Sequence, residues 1–146
     1  MAGGDEAEAK RSRPARAPAS RPQHLLNGKV LVVEDEEMVG ELMNDLLESW
    51  GLEVVIKPNL AAARETFAQD PGRFDVVVTD YTMPKGTGLD LARELTGIRP
   101  DLPIIMYTGY SDDVKETDVE RCGIRALVKK PLDPVAFLAV LRNFLV

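Results

Sequence analysis

The sequence is poor in cysteine, histidine and aromatic side chains, and it has no long hydrophobic run. Cys122 is the only cysteine among 146 residues, so an internal disulfide is excluded and a reducing cytoplasm is the expected location. No apolar stretch reaches the ~20 residues that a transmembrane helix requires. The amino terminus also lacks the apolar core of a secretory signal. The sequence therefore predicts neither membrane insertion nor export.

Positive charge is scarce over most of the chain. Residues 29–146 carry 13 basic and 21 acidic side chains, a net charge of −8, whereas residues 1–28 carry a net charge of +2. The acidic part would repel phosphates, so direct binding to nucleic acid is not expected. Residues 1–28 consist mainly of Ala, Pro, Arg, Ser, Gly and Glu, which bury too little apolar surface to fold. We predict a disordered tail or linker over 1–28 and one folded domain over 29–146.

From residue 29 onward, short aliphatic runs alternate with segments of helical periodicity. The predicted strands are 29–33, 52–57, 74–80, 102–109 and 124–129. The predicted helices are 36–50, 60–69, 88–96, 112–121 and 134–145. This alternation predicts right-handed βαβ units and a parallel sheet with helices on both faces.

Polar side chains lie at or just after the carboxyl ends of the predicted strands, where open α/β folds place their sites. These residues are Glu34, Asp35, Asp80, Thr108 and Lys130. If the first and third strands are neighbours, three carboxylates converge, and their repulsion favours a bound divalent cation such as Mg²⁺. A lysine and a hydroxyl at the same edge suit the binding of a phosphoryl group.

Acidic residues after a strand also have a simpler interpretation as solvated loop or helix-capping groups. That interpretation is preferred for Glu36 and Glu37, because acids in a first helical turn complement the helix dipole. Asp80 is different, since it directly follows the buried-strand pattern VVVT at the edge where the site is expected.

Three motifs resemble the receiver domains of two-component response regulators. They are VLVVEDE, VVVTDYTMPKGTGLDLARELTGIRPDLPIIMYTGYS and GIRALVKKPLD, and the similarity spans the predicted domain over 29–146. The phrases TGYS and KKPLD are most similar to receivers of hybrid histidine kinases. The resemblance implies an α/β, flavodoxin-like (βα)5 doubly wound fold whose five-stranded parallel sheet has the order 2-1-3-4-5.

The resemblance also implies a phosphorylation chemistry. Asp80 is expected to take a phosphoryl group from a phosphohistidine of a sensor histidine kinase or a histidine phosphotransfer protein. Lys130 is expected to pair with Asp80 and then with the phosphoryl oxygens, and Thr108 to direct its hydroxyl toward them. The Lys130–Pro131 bond is expected to be cis. Such a domain promotes its own phosphorylation and slow dephosphorylation and is not a turnover enzyme.

A metal site follows from the same resemblance. Glu34, Asp35 and Asp80 are expected to bind Mg²⁺ or Mn²⁺ together with the backbone carbonyl of Thr82, with Asp35 a direct ligand and Glu34 acting directly or through water. Glu34 stands where aspartate is commoner in the family, so the geometry of the metal is expected to be adjusted.

Other departures concern how phosphorylation is transmitted. Leu127 occupies a position, three before Lys130, that is usually aromatic in receivers that switch by coupled threonine and tyrosine motion. Tyr107 is expected to be a packing residue. Tyr110 is expected to hinder the attacking water and to lengthen the lifetime of the phosphorylated state.

Two other protein classes share part of this fold or of this set of strand-end residues. Phosphatases of the haloacid dehalogenase type need a second aspartate two residues after the first, where this chain has Thr82. Flavin-binding proteins need a phosphate loop rich in Ser, Thr and Gly after the first strand, where Glu34 and Asp35 would repel phosphate. A pseudo-receiver that acts only through protein interaction stays open as the alternative, because Leu127 affects signalling rather than chemistry.

The remaining expectations concern surfaces. No output domain is expected after the predicted final helix, so the chain is read as a standalone receiver or as one module of a hybrid kinase. Met38 and Val39 are expected near the acidic site, either as core residues or as contacts for a phosphodonor helix. The face formed by the fourth helix, fifth strand and fifth helix is a possible homodimer surface.

Overall fold

The computed structural model describes residues 25–109 and 112–145. In chain order, its elements are β1 (Lys29–Val33), α1 (Glu37–Ser49), β2 (Glu53–Lys57), α2 (Leu60–Gln69), β3 (Val76–Asp80), β4 (Thr82–Met83), β5 (Gly86–Thr87), α3 (Gly88–Ile98), β6 (Ile104–Thr108), α4 (Glu116–Arg121), β7 (Ala126–Lys129) and α5 (Pro134–Arg142). No helix within the two described ranges has the length and apolar character that crossing a membrane requires.

Five of the strands form one parallel sheet in the order β2-β1-β3-β6-β7. The strands predicted as fourth and fifth are β6 and β7, so the predicted order 2-1-3-4-5 is confirmed. The sequence did not predict β4 and β5, which form a separate antiparallel pair directly after β3. This small hairpin lies in the loop that follows Asp80.

The core lies on both faces of the sheet because neighbouring residues of a strand point to opposite sides. Val30 and Val32 of β1 pack in the cluster that includes residues of α1 and α5. Leu31 and Val33 pack in the cluster on the other face, which includes residues of α2, α3 and α4. Each fully buried aliphatic side chain contributes roughly 1.5–3 kcal/mol by leaving water. The sheet is thereby held from both sides, and the carboxyl ends of its strands meet at one edge.

Local signals set several helix ends. The Asp133 side chain accepts a hydrogen bond from the Val135 backbone N–H at the start of α5, and Pro134 occupies the first turn, as predicted. Gly51 follows α1 with φ of +99°, the backbone conformation that favours glycine after a helix. Thr87 and Asp90 form a reciprocal capping box at the start of α3. These contacts fix where the helices begin relative to the strand ends.

The predicted start of the fourth helix is wrong. The sequence predicted a helix from Asp112, but α4 begins at Glu116. The Asp112 carboxylate instead accepts hydrogen bonds from the Gly109 backbone N–H at 2.7 Å and the Thr82 hydroxyl at 3.0 Å. These contacts come from outside the segment, so helical periodicity cannot reveal them.

The boundary predicted for the tail also needs correction. Residues 1–24 of the predicted tail lie outside the described residues. Leu26, however, is buried in the cluster beneath α1 and α5, and its backbone N–H donates to the Trp50 carbonyl at 2.9 Å. The folded part therefore extends at least three residues before the predicted start at Lys29, because Leu26 is held by the segment between α1 and β2.

Candidate functional site

Three carboxylates meet at the carboxyl edge of the sheet. Oxygen atoms of Glu34, Asp35 and Asp80 lie within 4.8 Å of one another. The neighbouring strands β1 and β3 deliver them, and the Glu34 backbone N–H donates to the Lys57 carbonyl at 3.0 Å, which continues the pairing with β2. Glu34 and Asp80 are 3% and 5% exposed, whereas Asp35 is exposed to solvent. The structure thus brings together the three acids that the sequence placed at these strand ends.

Lys130 supplies a cation to this cluster. Its ammonium nitrogen lies 3.0 Å from Oδ1 and 3.1 Å from Oδ2 of Asp80, and the Lys130 side chain remains partly exposed. The Lys130 backbone N–H donates to the Thr108 carbonyl at 2.8 Å, and the Lys130–Pro131 bond is cis as expected. The nearly buried Asp80 carboxylate therefore has a charged partner that can still move toward solvent.

Two threonines flank Asp80. The Thr108 side chain is buried at the end of β6, which pairs with β3. The Thr82 backbone N–H donates to Asp80 Oδ1 at 3.4 Å, while its hydroxyl donates to Asp112. Because Asp112 also accepts from the Gly109 N–H, it ties the loop after β6 to the loop after β3. The Thr82 carbonyl as a metal ligand stays a prediction.

Glu34 is held at both of its carboxylate oxygens. The Tyr107 hydroxyl donates to Oε1, and the Glu36 backbone N–H donates to Oε2 at 2.9 Å. Burial raises the pKa of Glu34, these two hydrogen bonds oppose the rise, and the nearby Asp80 and Asp35 carboxylates add to it. Burial and the contact with Glu34 also raise the pKa of Tyr107, so its hydroxyl remains protonated. The two hydrogen bonds therefore hold the Glu34 carboxylate in position, but they do not cancel the effect of burial and of the neighbouring carboxylates on its pKa.

The sequence missed the polar role of Tyr107. It predicted a packing residue, and the ring is indeed buried at 1% exposure, but the hydroxyl reaches Glu34. The ring centroid also lies 5.2 Å from the Lys130 ammonium, within range of a cation–π interaction. A signal was available, because a tyrosine inside a buried strand needs a partner for its hydroxyl. The sequence did not reveal that this partner is Glu34, which directly follows β1, two strands away from β6.

The donor set fits a hard divalent cation. All three clustered side chains offer carboxylate oxygens, which Mg²⁺ and Mn²⁺ prefer, and none offers sulfur or nitrogen. Asp35 faces solvent, so a bound ion could keep several of its waters on that side. Burial is the main cause of the raised pKa of Glu34, and the repulsion from Asp80 and Asp35 that adds to it is what a bound cation would relieve. Glu34, Asp35 and Asp80 are therefore the residues that would hold the metal.

Several apolar side chains of β7, α1 and α5 are exposed or half-buried. Leu127 of β7 is 37% exposed. Val39 of α1 is half-buried, whereas Met38, Leu42 and, on α5, Val135 are 77%, 68% and 77% exposed. Met38 is thus a surface residue, and Val39 has only part of the core role that was considered for it.

The prediction for Tyr110 lies outside the described residues. Its proposed effect on the attacking water stays a prediction from the sequence.

A model of one protein family matches this chain. Residues 30–142 match the response regulator receiver domain. The chain is 33% identical over 117 residues to the aerobic respiration control sensor protein ArcB of Escherichia coli, covering 79% of this chain and 15% of ArcB. It is 31% identical over 103 residues to the response regulator receiver protein CpdR of Brucella abortus, covering 70% of this chain and 84% of CpdR.

A solved structure shares the fold. A response regulator receiver domain protein from Clostridium thermocellum has a TM-score of 0.75 and 30% sequence identity, covering 79% of this chain and 91% of that one. Several matching proteins are much longer than this chain, which spans 23% and 55% of the length of two further bacterial regulators.

Proposed function

The chain belongs to the family of response regulator receiver domains, and on that premise we propose that Asp80 accepts a phosphoryl group from a phosphohistidine in a reaction that depends on Mg²⁺ or Mn²⁺. The observation that carries this proposal is the placement of Asp80. Its nearly buried carboxylate lies beside two further carboxylates, those of Glu34 and Asp35. Both of its oxygens lie within 3.1 Å of the Lys130 ammonium nitrogen.

In the proposed reaction, a carboxylate oxygen of Asp80 bonds to phosphorus while the bond from phosphorus to the histidine nitrogen breaks. That nitrogen retains the bonding electron pair. Glu34, Asp35, Asp80 and the Thr82 carbonyl would hold a divalent cation, which would supply positive charge to neutralise the phosphoryl oxygens.

Side chains around Asp80 then stabilise the product. Lys130 contacts both Asp80 oxygens, so its ammonium can follow the negative charge as this moves to the phosphoryl oxygens. Thr108 offers a hydroxyl at the neighbouring strand end. Phosphoryl transfer depends mainly on such positioning and charge stabilisation. The domain promotes this reaction on itself and does not turn over a substrate.

The phosphodonor we propose is a sensor histidine kinase or a histidine phosphotransfer protein. The net charge of −8 over residues 29–146 supports a protein partner rather than direct contact with nucleic acid. A homodimer through the face of α4, β7 and α5 and a cytoplasmic location remain predictions from the sequence.

Acetyl phosphate and Mg²⁺ offer a partner-free test. We expect the intact mass of the wild-type chain to increase by one phosphoryl group and that of Asp80→Asn to stay unchanged. Omission of Mg²⁺, with EDTA present, is expected to prevent the increase in the wild type. A wild type that stays unmodified with Mg²⁺ would instead favour the pseudo-receiver, which acts only through protein interaction.

A further inference from the structure

Glu34 poses a positioning problem that an aspartate would not. Glutamate has one more rotatable bond than aspartate, so holding its carboxylate in one place costs more side-chain entropy. In this structure both Glu34 oxygens accept a hydrogen bond, one from the Tyr107 hydroxyl and one from the Glu36 backbone N–H. Two donors on separate elements therefore fix a side chain that would otherwise sample several rotamers.

Tyr107 reaches Glu34 because of the strand order. Tyr107 on β6 pairs with Asp80 on β3, and Glu34 follows β1 on the other side of β3. The tyrosine ring packs in the cluster that α1 and α5 cover, and its hydroxyl spans the width of β3 to meet the carboxylate. An aspartate at position 34 would withdraw the carboxylate by about one carbon–carbon bond length, ~1.5 Å. The hydroxyl would then lose its partner, so the long acid and the tyrosine fit each other.

Tyr107 also lies against the ammonium group of Lys130. The face of its ring lies 5.2 Å from the Lys130 ammonium, which bonds both oxygens of Asp80. A single buried side chain thus touches one proposed metal ligand and the lysine that pairs with the phosphoacceptor.

We propose that Tyr107 is a positioning residue that holds the Glu34 carboxylate in place for a divalent cation, and that the two residues act as a pair. Tyr107 itself does not contact the ion or the phosphoryl group. Residues that orient a metal ligand in this way commonly change metal affinity by 10-fold or more when they are removed. The inference rests on the proposed metal-dependent function, since it assigns a residue to that site.

Calorimetric titration of the unphosphorylated full chain with Mg²⁺ tests the pair. Four proteins form a double-mutant cycle: wild type, Tyr107→Phe, Glu34→Asp and the combination of both changes. We expect Tyr107→Phe to weaken Mg²⁺ binding by about 10-fold. In the Glu34→Asp background the same change should alter the dissociation constant by less than about twofold, because the hydroxyl no longer reaches the shorter acid. Equal weakening in both backgrounds, or none in the first, would overturn the proposal.

Tyr81→Phe is the matched control. It removes a tyrosine hydroxyl one residue from Asp80, but the Tyr81 side chain packs against the cluster on the opposite face of the sheet. Mg²⁺ affinity is expected to remain at the wild-type value.

Thermal unfolding in EDTA separates folding from positioning. Phenylalanine fills the space of the Tyr107 ring, so Tyr107→Phe should remain folded. If it does not fold, Glu34→Asp alone decides the matter: the pair predicts weaker Mg²⁺ binding than wild type, and unchanged or tighter binding would overturn it. A wild type that binds no Mg²⁺ would refute the proposed function. If the wild type binds Mg²⁺ and is phosphorylated, but Tyr107→Phe binds Mg²⁺ with equal affinity, only the pairing of Tyr107 with Glu34 is refuted.

Discussion

At the scale of single residues, Glu34 combines burial with two negatively charged neighbours. It is 3% exposed, and its pKa is raised above the ordinary value of 4.5 mainly by burial, with Asp80 and Asp35 adding repulsion. The native state therefore holds a proton on Glu34 more tightly than the unfolded chain does. By linkage, the stability that this group contributes is fully present below pH 4.5 and is lost as the pH rises through the raised pKa.

We predict that this loss depends on Glu34 and disappears in Glu34→Gln. Urea unfolding in EDTA, measured from pH 4 to pH 8, should show the free energy of unfolding of the wild type falling relative to that of the variant as pH rises. Glu37→Gln, an exposed acid in the first turn of α1, is the control and should follow the wild type. Wild-type and Glu34→Gln curves that run parallel would contradict the account.

The site residues could be predicted from the sequence to different degrees. Asp80, Glu34 and Lys130 were predictable because parallel strands bring their carboxyl ends to one edge, so a residue just after a strand lies at the site. The hydrogen bond from Tyr107 and the contacts of Asp112 were not. The Tyr107–Glu34 and Thr82–Asp112 hydrogen bonds join side chains that are far apart in the sequence, and their formation depends on packing that periodicity does not describe.

At the scale of elements, the loop after β3 and the start of α3 hold Asp80 in place. Gly88 begins α3, and its backbone N–H donates to the Tyr81 carbonyl at 2.8 Å. A Cβ at this position would lie 2.6 Å from the Asp80 carbonyl oxygen and 2.9 Å from the Met106 sulfur. The glycine is therefore required by the close approach of the helix to the backbone of Asp80.

Gly88→Ala should consequently destabilise the domain. We expect a loss of about 1–3 kcal/mol in the free energy of unfolding, measured in urea, since the backbone must shift to admit the methyl group. Gly97→Ala in the same helix is the matched control. A Cβ there would meet nothing within 4 Å, so we expect a gain of about 0.5–1 kcal/mol from helix propensity. Similar effects of the two changes would refute the close-approach argument.

The bounds of the helices and strands could be predicted from the sequence only in part. The bounds of β1 and α2 match the prediction, because their aliphatic patterns begin and end sharply. The fourth helix was predicted too long, since Asp112 is drawn into contacts with Thr82 and Gly109. The β4–β5 hairpin was missed because two-residue strands leave no periodicity to detect.

At the scale of the whole molecule, exposed apolar side chains lie on the two helices that cover one face of the sheet. Met38 and Leu42 on α1 and Val135 at the start of α5 are each at least 68% exposed. Met38 follows β1 and its acidic residues by only a few positions. We expect this surface to dock an apolar helix of the proposed phosphodonor.

We predict that Leu42→Asp slows, by about 10-fold or more, phosphorylation by a phosphorylated histidine phosphotransfer domain that modifies the wild type. Phosphorylation by acetyl phosphate should be unchanged, because that small donor needs no docking surface. Ile98→Asp, an exposed apolar residue at the end of α3, is the control and should behave as wild type with both donors. A Leu42→Asp variant that is slowed equally with acetyl phosphate would show damage to the site rather than to docking.

The central claim is that Asp80 carries the phosphoryl group, and a chemical trap at that residue tests it most directly. Borohydride reduces an aspartyl phosphate to homoserine, which peptide mass spectrometry can locate in the chain. After treatment with acetyl phosphate and Mg²⁺, we expect homoserine at position 80 and unmodified aspartate and glutamate at Asp35 and Glu34. Intact aspartate at position 80 together with reduction at another carboxylate would contradict the account.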